Sequence, residues 1–308
     1  MDRRIAIVGA PSNIGIRPYE DGEARHLNRA PAVLRERGLV RRLGAIDFGD
    51  VVPPPYADYD RPSDRPRNER DVLAYSRQLA DVVAAAAAQR RFALVLGGDC
   101  SIVLGSLLGA KRTAGGALGL AYVDAHADFA TVEESTTGSA ASMALALAVG
   151  RGESRLARVG GHLPLVDARH VALVGRRDGD VSPAHRALAL SGILDLPHAD
   201  AMPIDTGYLA AATMARAAAR DVRGFWIQVD VDVLDPSVIR AVDSPEWGGL
   251  TADELVRLLT PLVNHPGAIG MSLTIYDPAL DPDRSAARLL VGMLESLLVG
   301  RAEVSLAS

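Results

Sequence analysis

Two short stretches of this chain carry residue types that bind metals and move protons. The segment "VDAHAD" sets Asp124, His126 and Asp128 at alternate positions, and "VDVDVLDP" repeats the spacing with Asp230 and Asp232 ahead of Asp235 and Pro236. In an extended strand, residues i, i+2 and i+4 project from one face, so each set is expected to converge at a strand end. Four carboxylates and an imidazole in one crevice repel one another without cations. That mixture of donors suits Mn²⁺, Zn²⁺, Fe²⁺ or Co²⁺. Solvated aspartates in turns after strands can produce the same spelling, but two such sets at separate strand exits favour the metal reading.

A third stretch, "LVLGGDCSIVLGS" (94–106), reads as a buried strand running into a turn that holds the only cysteine, Cys100. The thiol has three readings at this level: nucleophile, metal ligand or small core residue. No histidine lies close to it in sequence to serve as a base. One cysteine forms no internal disulfide, so nothing calls for an oxidising compartment.

The elements that must position these residues follow from short apolar runs: 4–10, 92–99, 118–128, 170–178, 224–236 and 268–278. Continuous apolar runs separated by helical stretches predict a parallel sheet covered on both faces. In such sheets ligands sit at the carboxyl ends of strands, where Asp99, Asp124, Asp178 and Asp230 would lie. Helices are predicted at 70–90, 208–220, 251–263 and 284–299, the third opening on a capping box of Thr251 and Glu254. The Pro- and Asp-rich stretch 50–68 reads as a surface loop, and the strand pattern resumes after it. A single domain over 1–308 is expected.

Composition removes several function classes. The chain has 308 residues, 48% hydrophobic and 23% charged, with a net charge of −5. That balance is ordinary for a globular protein and argues against a nucleic-acid surface. No apolar stretch is long enough to span a membrane, and the short run at Ile5–Val8 reads as a first strand, not a signal peptide. A cytoplasmic protein is expected. Lys111 is the only lysine, which nearly removes Schiff-base and phosphate-loop chemistry.

Taken together, these motifs resemble the ureohydrolase family (arginase, agmatinase, formiminoglutamase) almost end to end. "IVGAPSNIG" and "RAPAVLRERGL" look like its opening strand and first helix. "LGGDCS" is similar to its GGDHS motif, "VDAHADF" to DAHxD and "LVGRRDGD" to GxRDxD. "VDVDVLDPS" with "DSPEWGGLT" resembles DxDxxDP and P-x-x-GGLT, and "YDPALD" resembles NPxLD. The resemblance implies a three-layer α/β/α arginase-like fold with a parallel sheet of about eight strands. It implies two divalent metal ions, with Asp124 and Asp230 bridging them. Cys100 and Asp128 would complete one shell, His126 and Asp232 the other. Water activated between the ions would attack the carbon of a guanidinium or amidine. The ions are Mn²⁺ by resemblance; a thiolate at Cys100 would favour Zn²⁺, Co²⁺ or Fe²⁺ and make the core one unit more negative than histidine does.

Three positions depart from the family. Its first ligand histidine is Cys100 here, either a working ligand of a retuned centre, the mark of a lost metal, or a nucleophile. Its proton-shuttling histidine is Ala141, followed by Ser142 in "TTGSAASM". Its guanidinium-binding glutamate is Ile275, and Glu246 in "DSPEWGGL" is the acid expected to replace it. Asp128 and Glu246 are therefore the expected catalytic carboxylates. Thr137, Ser139, Asp180 and Glu246 are the expected substrate contacts, while Asp178 is expected to orient the loop or metals. The remaining histidines, including His185, read as core or surface. The resulting expectation is a hydrolase of a guanidino or N-hydroxyguanidino compound, working as a homo-oligomer. The alternatives are formimino or amide C–N hydrolysis, and a catalytically silent subunit.

Overall fold

In a computed structural model of the chain, residues 4–161, 164–179, 181–198 and 205–306 are described. Asp180, expected to contact substrate, lies outside them. Among these residues eight strands form one sheet in the order β2-β1-β3-β8-β7-β4-β5-β6, and every pairing is parallel. They are β1 (Ile5–Ala10), β2 (Ile46–Asp50), β3 (Phe92–Gly97), β4 (Ala117–Val123), β5 (Val171–Val174), β6 (Leu194–Leu196), β7 (Val222–Asp230) and β8 (Ala268–Thr274). This is the three-layer parallel architecture expected above.

The burial pattern explains why the strands read as unbroken apolar runs. Every residue of β1 and β3 is buried, so neither face meets water and alternation is absent. β7 is buried from Gly224 to Asp230. The edge strands β2 (IDFGD) and β6 (LDL) do not stand out as apolar runs. β2 is largely exposed and β6 has only three residues.

Nine helices cover the sheet: α1 (Ala30–Glu36), α2 (Leu39–Arg42), α3 (Glu69–Ala88), α4 (Ile102–Ala114), α5 (Ala144–Ala148), α6 (Pro183–Leu190), α7 (Thr206–Ala217), α8 (Ala252–Asn264) and α9 (Ser285–Leu306), counted among the described residues. α3 packs on α4 and α4 on α5, while α1, α9, α8 and α7 form a second chain of contacts. The glycines of α4 make the first contact close. A Cβ at Gly105 would lie 2.7 Å from the carbonyl of Ser76, and one at Gly109 2.7 Å from that of Ala80. α8 opens on the predicted capping box: Thr251 accepts from the Glu254 backbone N–H and Glu254 accepts from that of Thr251.

The core also fixes the strand ends. The indole N–H of Trp226 in β7 donates to Ser272 Oγ of β8 at 2.7 Å, and Gln228 Nε2 donates to Thr274 Oγ1 at 2.8 Å. All four side chains are buried, so each bond satisfies groups that water cannot reach. The second one sits one layer below Cys100, whose Sγ lies 3.6 Å from Thr274 Oγ1.

One expectation needs correcting. β4 ends at Val123 and β7 at Asp230, so strand pleating does not align the acidic residues. Aspartate-capped turns do. Asp124 Oδ1 accepts the backbone N–H of His126 at 2.7 Å, and Asp230 Oδ1 accepts that of Asp232 at 2.9 Å. Each side chain folds the two following residues back over its own strand end. Asp128 then adopts a left-handed backbone with φ 48°, which a short polar side chain tolerates better than most.

Candidate metal centre

The loops after β1, β3, β4, β5, β7 and β8 meet at the carboxyl edge of the sheet around a pocket of about 290 Å³. Asp99 ties two of these loops together. Its Oδ2 accepts from Ser12 Oγ and from the Gly15 backbone N–H, and its Oδ1 accepts from the Ser101 N–H. Gly98 makes that approach possible, because a Cβ there would lie 1.8 Å from the carbonyl oxygen of Ser12. Asp99 is therefore a buried scaffold residue.

On the pocket floor, Cys100, Asp124 and Asp128 bring one ligand atom each to within 4.8 Å of one another, and so do Asp124, His126 and Asp232. Asp124 is common to both sets. Its Oδ2 is buried and without a hydrogen-bond partner, an arrangement that is costly unless a cation or water meets it. Asp230 belongs to neither set. Its Oδ2 accepts the Cys100 thiol at 2.7 Å, which sets this carboxylate beside the Cys100, Asp124 and Asp128 set, on the pocket lining.

The surroundings of each ligand set its charge. Burial pushes the carboxyls of Asp124 and Asp230 well up, and repulsion from Asp232 adds to it in both. Burial also pushes the Cys100 thiol well up, reinforced by Asp230, Asp128 and Asp124. Burial pushes Asp128 up to about 7, although the Tyr122 hydroxyl that donates to its Oδ2 at 2.6 Å works the other way. His126 is drawn down by burial, but Asp232 and Asp124 more than reverse this, its Nδ1 lying 2.9 Å from Asp232 Oδ2. Burial raises Asp232, and the His126 ring with the Ala125 N–H lowers it further than that. Without cations the cluster keeps protons to limit its negative charge. Oxygen, nitrogen and sulfur donors with an orphaned carboxylate oxygen fit two divalent ions sharing Asp124.

The remaining sequence candidates divide. Thr137 and Ser139 line the pocket. The Ser139 hydroxyl accepts from the Arg17 backbone N–H at 2.8 Å, which leaves its O–H free to donate. Thr137 Oγ1 lies 3.3 Å from Ser135 Oγ and accepts from the Ser139 N–H. Asp178 Oδ2 accepts the N–H of Ala127, between the ligand candidates His126 and Asp128, at 2.9 Å. Ile275 and Ala141 present apolar surface to the pocket. Ile275 does so from a left-handed backbone with φ 69°, rare for a β-branched residue and a mark of local strain.

Glu246 is not on the pocket wall. Its side chain is exposed, and its backbone carbonyl accepts from Arg177 Nη2. The loop puts the acid three residues earlier, Asp243, against the pocket instead. A second residue missed by sequence reasoning is His185, at the start of α6. It lines the pocket with Nδ1 2.7 Å from Ser182 Oγ and Nε2 3.0 Å from Asp178 Oδ2. Neither residue has ligand-like spacing. The signal that could have pointed to them is their place in the connections that follow β7 and β5, beyond the carboxyl ends of strands where ligands bind.

Comparison with known proteins agrees with this architecture. A family model described as Arginase family matches residues 3–300. The chain is 29% identical to the arginase of Brevibacillus brevis over 306 residues, covering 96% of this chain and 98% of that protein. It is 30% identical to human Arginase-1 over 291 residues, with 90% and 86% covered. The solved structure of Bacillus caldovelox arginase superposes with a TM-score of 0.85 at 28% identity, covering 96% of this chain and 98% of that one. The proclavaminate amidino hydrolase of Streptomyces clavuligerus shares the fold at a TM-score of 0.70 and 19% identity, with 97% and 92% covered. A match that runs through every strand end contributing to the pocket assigns the chain: it belongs to the arginase family.

Proposed function

We propose that this arginase-family chain is a two-metal hydrolase that cleaves a C–N bond of a guanidino or N-hydroxyguanidino compound, releasing urea or hydroxyurea. The observation that carries the reading is the pair of ligand sets sharing Asp124, whose second oxygen is buried and unpaired. Cys100, Asp124 and Asp128 would hold one divalent ion, and Asp124, His126 and Asp232 the other. Bound there, the ions supply an acidified water as nucleophile and polarise the group under attack.

The chain's own residues do the rest. Asp230, whose Oδ2 lies 2.7 Å from Cys100 Sγ, would share an ion with Cys100 once the thiol has given up its proton, and Asp178 holds the loop that carries His126 and Asp128. Asp128, held by the Tyr122 hydroxyl, would pass a proton to the leaving amine, since Ala141 has none to give. Thr137 and Ser139 offer hydroxyls to the polar tail of a small substrate.

A second reading, hydrolysis of a formimino or amide group, is favoured by one observation: Ile275 and Ala141 make part of the pocket apolar. The protein reconstituted with Mn²⁺, Zn²⁺ or Co²⁺ should release urea or hydroxyurea from guanidino and hydroxyguanidino acids or amines. Ammonia or formamide from formimino compounds instead would select the second reading. No turnover of either class with two ions bound would overturn both and leave a silent subunit.

A further inference from the structure

A cationic amidine held against a divalent metal centre needs a carboxylate outside the ligand set, because a buried guanidinium without an anionic partner is strongly disfavoured. Among the described residues lining the pocket, two acids are not in or bonded to the ligand sets: Asp178 and Asp243. Asp178 already faces two basic side chains: its Oδ2 receives the Ala127 N–H with His185 Nε2 at 3.0 Å, and its Oδ1, without a hydrogen-bond partner, has Arg176 Nη1 at 3.6 Å.

Asp243 is differently placed. Its Oδ1 pairs with Arg25, a buried guanidinium anchored by the Arg17 carbonyl at 3.0 Å and stacked 4.3 Å over the Tyr19 ring. That anchorage fixes the carboxylate against the pocket at no further ordering cost. Its Oδ2 meets only a long 3.4 Å contact from Ser244 Oγ, which leaves acceptor capacity on a residue that lines the pocket. Burial raises this carboxyl, and Arg25 and Arg17 lower it by less, so a further cation would complete its compensation.

We infer that Asp243 is the residue that selects a positively charged amidine in this pocket, accepting N–H bonds from the guanidinium or hydroxyguanidinium through Oδ2. This rests on the hydrolase reading above and names the group that distinguishes charged from neutral substrates. The acid comes from the loop after β7, whereas the position just beyond β8 carries Ile275. Asp243 is a binding and specificity residue, and no proton transfer is assigned to it.

The test is calorimetric binding to metal-loaded protein, using L-arginine as the guanidinium probe and its neutral ureido counterpart, L-citrulline, as control. Asp243→Asn keeps the shape and the Arg25 contact surface, and metal content is measured alongside. The expected result is a loss of about 10- to 100-fold in affinity for the guanidinium probe, the size of a charge-assisted hydrogen bond, with the ureido probe changed by less than about twofold. Ile275→Glu in the Asp243→Asn background should restore guanidinium binding, which a collapsed loop would not allow. Equal losses for both probes would mean that Asp243 only anchors Arg25, and would overturn the inference while leaving the hydrolase reading intact. Wild-type protein that binds two ions but no guanidinium would overturn the inference together with the guanidino reading.

Discussion

The buried acidic floor makes a prediction about pH that runs opposite to ordinary acid denaturation. Take the chelator-treated protein and raise the pH from 5 to 8. Asp128 has its carboxyl at about 7 in the fold, against 3.8 for an ordinary aspartate. Between those values the folded chain binds a proton that the unfolded chain has released. Stability must then fall as pH rises, being fully present below about 4 and lost on passing about 7. Between pH 5 and 8 this one group contributes up to roughly 3 kcal/mol, an upper value because pocket water reaches its partly exposed carboxylate. His126, also pushed up, keeps its proton above the unfolded value and acts in the same direction. At roughly 2 °C per kcal/mol for a chain of this size, the metal-free melting temperature should drop by up to about 6 °C. Divalent ions replace those protons, so Zn²⁺ or Mn²⁺ should raise the melting temperature several degrees more at pH 8 than at pH 5. Differential scanning calorimetry with and without metal measures both. A metal-free melting temperature that rises from pH 5 to 8, or an equal metal effect at both pH values, would refute the electrostatic account of the floor.

Three substitutions probe the same centre and its frame. Cys100→His should raise retention of Mn²⁺ relative to Zn²⁺ by roughly tenfold or more, since imidazole replaces a soft, charged donor; competition dialysis checks this. Tyr122→Phe removes the 2.6 Å bond to Asp128 and should cost about 1–3 kcal/mol while pushing the Asp128 carboxyl higher, read by denaturant titration at two pH values. Gly98→Ala forces a Cβ to within 1.8 Å of the Ser12 carbonyl. It should displace the Asp99-linked loops and lower stability by more than about 3 kcal/mol, visible in the denaturation midpoint.

The fold was legible because the central strands are buried on both faces and spell continuous apolar runs. β2 and β6 escaped that reading since edge strands have one ladder and little core to bury. The ligand candidates could be named from their spacing, yet for a mistaken geometric reason. Aspartate-capped turns bring Asp124, His126 and Asp128 together, not the pleat of a strand. Asp230 carried the same spacing signal as Asp232, but its carboxylate is turned toward the Cys100 thiol, a relation 130 residues apart in sequence that no local pattern encodes. The pocket wall was least legible. Glu246 and Asp243 share one loop, and only the path of the chain past Arg25 decides which of them faces inward. His185 is brought in by the start of α6, capped by Ser182.

The central claim, that the floor built around Asp124 holds two divalent ions with Cys100 as one ligand, is tested most directly by metal content. The measurement is elemental analysis of protein purified without chelator and under reducing conditions, after incubation with Mn²⁺, Zn²⁺ or Co²⁺. The account predicts about two ions per chain, and loss of about one on Cys100→Ala. Zero or one ion in the wild type under all three metals would contradict it.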